Sequence, residues 1–171
     1  MVLTRAEINL QALRQNFDHI KKRVGSNVKI MGVVKANAYG HGIVEVAQAI
    51  TQYGVDYFGV GFLQEGISLR KKGIQTPILV LGGVLGSQIK EFLNHNLDVT
   101  VSSIEIAERI EQEAASNGGK KARVHLKIDT GSAKPTTISS LDQGRTWIIS
   151  NSQNSSPSPA ANDPLPDRDL Q

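Results

Sequence analysis

The stretch VKIMGVVK, residues 28–35, decides the fold class, because it is a β-branched and apolar run that ends on a lysine. Such a run, without alternation of polar and apolar residues, is typical of a strand that is buried on both faces. It follows residues 10–24, where apolar side chains recur at helical spacing until Gly25. The start of that helix is open between two readings: Thr4 and Glu7 fit a capping box, and Asn9 fits a cap that follows a short strand.

The same alternation of helix and strand continues as far as residue 128. Apolar periodicity predicts helices over residues 43–53, 63–72, 87–94 and 103–116, and strands at DYFGV, PILVL, LDVTV and ARVHLKI. Together with the first strand this makes five strands, each apolar on both faces. Such strands joined by helical crossovers indicate an α/β fold with a parallel sheet covered on both sides. Periodicity alone does not decide whether the sheet stays open or curls into a barrel.

Composition narrows the class of protein. The chain has 171 residues, enough for one domain with a core, and its 19 basic and 16 acidic residues are spread along it. Aromatic residues make up 5% of the chain, and the sequence shows no concentrated stripe of basic and aromatic residues that would predict a nucleic-acid interface. There is no cysteine, no apolar signal core at the amino terminus and no apolar run of membrane-spanning length. We therefore expect a cytoplasmic protein with no membrane or nucleic-acid partner.

Residues 132–171 differ in kind from the rest. They hold five of the six prolines and only one of the 16 glycines, and TWIIS is their one apolar patch. A segment of this composition buries too little surface to offset chain entropy. We expect two parts: a folded domain over residues 1–131 and a low-complexity, disordered tail over residues 132–171.

The loop after the first strand carries the chemistry. Ligands of parallel α/β folds lie beyond the carboxyl ends of the strands, where Lys35 stands. A sheltered lysine there loses solvation, and its neutral amine forms a Schiff base with an aldehyde. Tyr39, four residues later, offers a hydroxyl to a phosphate. The alternative is a lysine that reaches solvent and glycines that only form a turn.

The segment VVKANAYGHG, residues 33–42, closely resembles the cofactor-lysine segment of alanine racemases, which are pyridoxal-phosphate enzymes. The segments TRAEINLQALRQNF, YFGVGFLQEGISLRKKGI, PILVLGG and VHLKIDTG resemble the same family in its order and spacing. The resemblance covers residues 4–131. It implies a (β/α)8 TIM barrel, of which this chain holds a part with about five parallel strands.

The resemblance also implies roles for single residues. Lys35 would hold pyridoxal 5'-phosphate as an internal aldimine and move the proton on one face of the substrate α-carbon. Tyr39 would donate to the cofactor phosphate, and Leu81 would lie beside the cofactor ring. Lys127 matches a lysine that many members carbamylate, so that it orients an arginine. His41 is expected to position the loop.

Two further residues are expected to be structural. His125 lies within an apolar strand and is expected to be a core histidine with its hydrogen bonds satisfied. Asp129 is expected to cap a turn or pair with a cation.

The resemblance stops after Gly131, where Lys134 and Pro135 replace the expected arginine segment. The second catalytic base and the phosphate loop would lie in the missing part. We therefore expect a truncated copy of an isomerase of D-alanine biosynthesis that is inactive alone, in a family that forms homodimers and acts on alanine. The alternatives are a non-catalytic pyridoxal-phosphate-binding protein and a partner of a full-length subunit.

Overall fold

A computed structural model describes residues 6–128, 137–140 and 146–147. The helices are α1 (Leu10–Val24), α2 (Lys35–Tyr39), α3 (Ile43–Tyr53), α4 (Leu63–Lys71), α5 (Ile89–Asn94) and α6 (Ile104–Ser116). The strands are β1 (Met31–Val33), β2 (Tyr57–Val60), β3 (Ile78–Val80), β4 (Asp98–Val101), β5 (Val124–Ile128), β6 (Thr137–Ser140) and β7 (Thr146–Trp147). The predicted α/β class is confirmed, and α2 is a single short turn of unusual hand.

The strands form one sheet in the order β1-β2-β3-β4-β5-β6-β7. Strands β1 to β5 pair in parallel, while β6 pairs antiparallel to β5 and β7 antiparallel to β6. Every strand therefore lies beside its neighbour in sequence. A doubly wound sheet reverses its strand order at a switch point, whereas a (β/α)8 barrel adds strands in one direction. The parallel part of this sheet has the barrel topology.

The helices pack on one face of the sheet. Their buried side chains, among them Phe17, Ile50, Leu69, Phe92 and Ile110, form a single core with the strand residues of that face. The sequence predicts a sheet covered on both sides, and the helices cover one of these two faces. Apolar strands show that both faces are buried, but they do not show what covers each face.

The opposite face, which we call the inner face, carries polar side chains. Tyr57, Asp98, Thr100 and His125 point to it from β2, β4 and β5, and all four are buried. The expectation of strands that are apolar on both faces is wrong here. Thr100 donates its hydroxyl proton to the carbonyl oxygen of Val80 at 2.7 Å.

Asp98 is the centre of an inner-face network. Its carboxylate accepts from Arg123 at 2.6 Å and lies 3.3 Å from Nε2 of His125. The hydroxyl of Tyr57 lies 3.3 Å from the same nitrogen. His125 is in the core as predicted, but its Nδ1 has no hydrogen-bond partner in the part of the chain that the structure describes. The expectation of a fully satisfied histidine is not met there.

The first helix is capped by Asn9, whose side chain accepts from the N–H of Ala12 at 2.9 Å. The cap at Asn9 of the second reading is therefore confirmed, whereas residues 6–9 form no strand and Thr4 lies outside the described residues. The helix ends at Gly25, as predicted, where φ is 81° and the N–H donates to the carbonyl of Lys21. Asparagine is among the most favourable N-cap residues, so one side chain fixes this boundary.

The predicted tail lies outside the described residues, apart from β6 and β7. Within the described part, none of the helices combines the length and the apolar character needed to cross a membrane.

Candidate functional site

The candidate site begins where β1 ends. Val34 continues the pairing with β2 by donating its N–H to the carbonyl of Gly59 at 2.8 Å, and Lys35 follows at once. The side chain of Lys35 is exposed, and no described residue forms an ion pair or hydrogen bond with its amine. The described residues therefore place this lysine at the predicted strand end but do not form the sheltered pocket that was expected around it.

The turn after Lys35 is left-handed. Ala36, Asn37, Ala38 and Tyr39 have φ values of 53°, 55°, 52° and 55°. For residues with a side chain, this conformation costs roughly 1–2 kcal/mol each. Four such residues in succession require contacts that hold them, and strained backbone of this kind is concentrated at functional sites.

Two side chains of the loop hold this turn from its far end. Asn37 accepts the N–H of Ile43, the first residue of α3, on its side-chain oxygen at 2.9 Å. His41 places Nδ1 at 2.9 Å from the carbonyl of Ala38, and only a protonated Nδ1 can donate to that oxygen. His41 thus has the contacts of a loop-positioning residue, as the sequence predicted.

A carboxylate from the next crossover holds the near end of the turn. Glu65 of α4 accepts the N–H of Ala36 at 2.7 Å on Oε1, and those of Gly61 at 2.7 Å and Phe62 at 3.2 Å on Oε2. Sequence analysis missed this residue. The available signal was a glutamate at the third position of a helix, from which it reaches back to the N-cap.

The loop after β3 continues this arrangement. Leu81 donates its N–H to the carbonyl of Val60 at 2.8 Å, and Gly82 donates to that of Gly61 at 3.1 Å. The side chain of Leu81 is partly buried against Tyr57 and Leu79 on the inner face. The loops after β1, β2 and β3 are therefore joined by hydrogen bonds at one edge of the sheet.

The four predicted site residues are brought to the same edge but not into one pocket. Lys35 and Tyr39 follow β1, Leu81 follows β3, and Lys127 lies near the end of β5 with an exposed side chain. Tyr39 and His41 line a cleft of about 430 Å³ between α1 and α3, and Lys35 does not line it. Asp129 and Lys134 lie outside the described residues. Among the residues that the structure describes, no three metal-ligating side chains form a group that could hold a metal ion.

Comparison with known proteins identifies the family. The sequence profile described as "Alanine racemase, N-terminal domain" matches residues 8–134. Alanine racemase 1 of Caldanaerobacter subterraneus subsp. tengcongensis is 48% identical over 128 residues, which cover 75% of this chain and 33% of that protein.

Solved structures show the same likeness. The alanine racemase of Clostridium difficile 630 superposes with a TM-score of 0.75 at 45% identity, over 78% of this chain and 35% of that one. A histidine racemase from Leuconostoc mesenteroides subsp. sake superposes with a TM-score of 0.66 at 29% identity, over 74% of this chain and 33% of that one.

The matched part includes the lysine segment, the left-handed turn and the five parallel strands. The chain spans about a third of the length of the curated relatives that it matches. With a profile match over most of its length and a shared fold, this chain belongs to the alanine racemase family.

Proposed function

We propose that this chain carries the cofactor lysine of an amino-acid racemase, and that Lys35 binds pyridoxal 5'-phosphate covalently. The observation that supports this most strongly is the placement of Lys35. Its exposed amine has no described partner, and it stands at the carboxyl end of β1 on a backbone turn held by Glu65. A lysine that only reached solvent would need neither the left-handed turn nor its hydrogen bonds.

The residues at this edge fit the chemical parts of that cofactor. The amine of Lys35 would bond to the aldehyde carbon, the hydroxyl of Tyr39 would donate to the phosphate, and Leu81 would contact the ring. Lys127 would be the carbamylated lysine that orients an arginine. When bound, the cofactor withdraws electrons from the substrate α-carbon and so makes its proton acidic.

Lys35 would then act as a base at the substrate α-carbon. Its amine would remove or return the α-proton on one face. Inversion also needs a proton on the opposite face, and we assign that step to none of the residues that the structure describes.

We propose alanine as the substrate, on the basis of the relatives named alanine racemase. The likeness to a histidine racemase indicates that this part of the fold serves amino acids with different side chains.

Titration with pyridoxal phosphate tests the proposal. Wild-type protein is expected to develop the absorbance of a borohydride-reducible covalent adduct, and Lys35→Ala is expected to lose it. Lys90→Ala is the matched control, because Lys90 is an exposed lysine on α5 to which no site role is assigned. An equal adduct in Lys35→Ala would refute the role of Lys35.

Turnover separates the remaining candidates. Chiral chromatography of L-alanine incubated with the loaded chain would detect D-alanine, and its formation would contradict our expectation that the chain is inactive alone. Reversible cofactor binding without D-alanine would support a non-catalytic binding protein. Native mass spectrometry of a co-expressed full-length racemase would show whether the chain acts as its partner.

A further inference from the structure

Glu65 makes more hydrogen bonds than helix capping requires. Its bond to Phe62 is the ordinary one, since a glutamate at the third position of a helix commonly reaches back to the N-cap N–H. The bonds to Gly61 and Ala36, both 2.7 Å long, are shorter and reach beyond the helix. Hydrogen bonds to an ionised carboxylate are about twice as strong as neutral ones.

The bond to Ala36 acts on the backbone of Lys35. The N–H of Ala36 belongs to the peptide group that joins it to Lys35, so Oε1 of Glu65 fixes the orientation of that peptide group. Ala36 is also the first residue of the left-handed turn, with φ of 53°. Glu65 therefore stabilises the strained conformation at the position where the direction of the lysine side chain is set.

Gly61 lets this contact form at close range. A Cβ at Gly61 would lie 3.3 Å from Oε2 of Glu65 and 3.5 Å from Cβ of Lys35. The Cβ of Lys35 thus lies close to the backbone to which Glu65 is bound. Glu65 forms no ion pair within the described residues, so its carboxylate serves as an acceptor of backbone N–H groups.

We propose that Glu65 is a positioning residue for Lys35: its carboxylate joins the loops after β1 and β2 and thereby fixes the lysine for reaction with an aldehyde. This inference rests on the proposed function of Lys35. It does not require Glu65 to touch the cofactor or the amine.

Two substitutions separate this role from capping. Glu65→Gln keeps the size of the side chain but leaves one acceptor oxygen for two sets of donors. Glu65→Asp keeps the charge and remains able to cap Phe62, but it is one methylene too short to reach Ala36 as well. Gln64→Ala is the control, since Gln64 is exposed on the same helix.

Hydrogen exchange and cofactor affinity give the decisive pair of measurements on the full chain. In both Glu65 variants we expect exchange of the Ala36 amide to rise about tenfold, and the Kd for pyridoxal phosphate to rise about tenfold, with Gln64→Ala unchanged. The amide of Phe58 should keep its wild-type exchange, which excludes general loosening of the fold. If one variant does not fold, the other decides.

A released Ala36 amide with wild-type affinity would overturn the proposal, as would an amide that is not released. If wild-type protein binds no pyridoxal phosphate, the proposed function fails, and the reactivity of Lys35 towards acetic anhydride replaces affinity as the second readout. Mass mapping should then show altered labelling of Lys35 in the Glu65 variants, with Lys127 labelled as in wild type. Unchanged labelling of Lys35 would overturn the positioning role.

Discussion

Two glycines allow the backbone of neighbouring loops to meet at the carboxyl edge of the sheet. Gly82 donates its N–H to the carbonyl oxygen of Gly61 at 3.1 Å, and a Cβ at Gly82 would overlap that oxygen. The obstacle is backbone, which cannot move aside as a flexible side chain can. The absence of a side chain at Gly82 is therefore a requirement of the site.

We expect Gly82→Ala to lower the free energy of unfolding by about 2 kcal/mol, because the methyl group displaces the loop after β2. Urea denaturation monitored by circular dichroism measures the change. Gly83→Ala is the matched control, since a Cβ at Gly83 meets no atom within 4 Å, and its change is expected to stay below about 0.5 kcal/mol. Equal stabilities of the two variants would contradict this account of the edge.

At the scale of residues, the sequence predicted positions that depend on neighbouring residues, but it did not predict contacts between residues far apart in the sequence. Lys35 was placed at the end of β1 because the apolar run stops there. Glu65 was missed because its partner Ala36 lies 29 residues away, and no periodicity links the two. The roles assigned to Tyr39, Leu81 and Lys127 remain predictions.

At the scale of elements, helix boundaries followed the sequence closely because they are set by local chemistry. Residues 10–24 and 43–53 were predicted as helices and are the observed α1 and α3. Strand β1 is shorter than its apolar run, since only three of its residues are in the strand. The left-handed turn was not predicted, because alanine and tyrosine have no intrinsic preference for positive φ.

Arg70 joins three elements by hydrogen bonds that sequence analysis did not anticipate. From α4, its guanidinium donates to the carbonyl oxygens of Ile74, Thr76, His95 and Asn96. Burial, and then the nearby charge of Arg123, lower the pKa of Arg70 from its usual value. A planar group with five donors suits this arrangement, and lysine would not replace it.

The start of α6 gives a prediction at the same scale. Ser103 caps the helix by accepting the N–H of Ile106, and its hydroxyl donates to the carboxylate of Glu105. That bond, followed by the backbone N–H of Glu105, lowers the pKa of this carboxyl group. Because the pKa is lowered in the folded state, the associated stability is present above the ordinary glutamate pKa and is lost as the pH falls through the lowered value.

We expect Ser103→Ala to destabilise the protein by about 1 kcal/mol through loss of the cap, and to return the pKa of Glu105 towards its usual value. NMR titration of the Glu105 carboxyl carbon measures the shift, and urea denaturation measures the stability. The stability difference from wild type should narrow at acid pH, where the carboxyl group is protonated in both proteins. Ser102→Ala should change neither quantity, and an unaltered Glu105 titration in Ser103→Ala would refute the assignment.

At the scale of the whole molecule, the apolar core and the buried polar network lie on opposite faces of the sheet. The outer face carries the apolar core under the helices, and the inner face carries the network around Asp98. The sequence predicted the five parallel strands but not this division, because buried strands look alike whichever layer covers them. Which residues meet across the inner face depends on the pairing of strands that are far apart in the sequence.

The apolar core between the sheet and the helices should therefore contribute most of the free energy of unfolding. Phe58 is fully buried on β2 at its centre, while Phe62, four residues later, is 70% exposed. We expect Phe58→Ala to lower the free energy of unfolding by about 4 kcal/mol and Phe62→Ala by less than about 0.5 kcal/mol. Thermal and urea unfolding of the two variants compare them directly, and similar losses would show that the core lies elsewhere.

The central claim is that one lysine among many is the site of attachment for pyridoxal phosphate, and peptide mapping tests it most directly. The full chain would be incubated with the cofactor, reduced with borohydride, digested and sequenced by mass spectrometry. We predict that the adduct is on Lys35 and that it is absent from Lys127 and the other exposed lysines. An adduct on another lysine, or one spread evenly over many, would contradict the account.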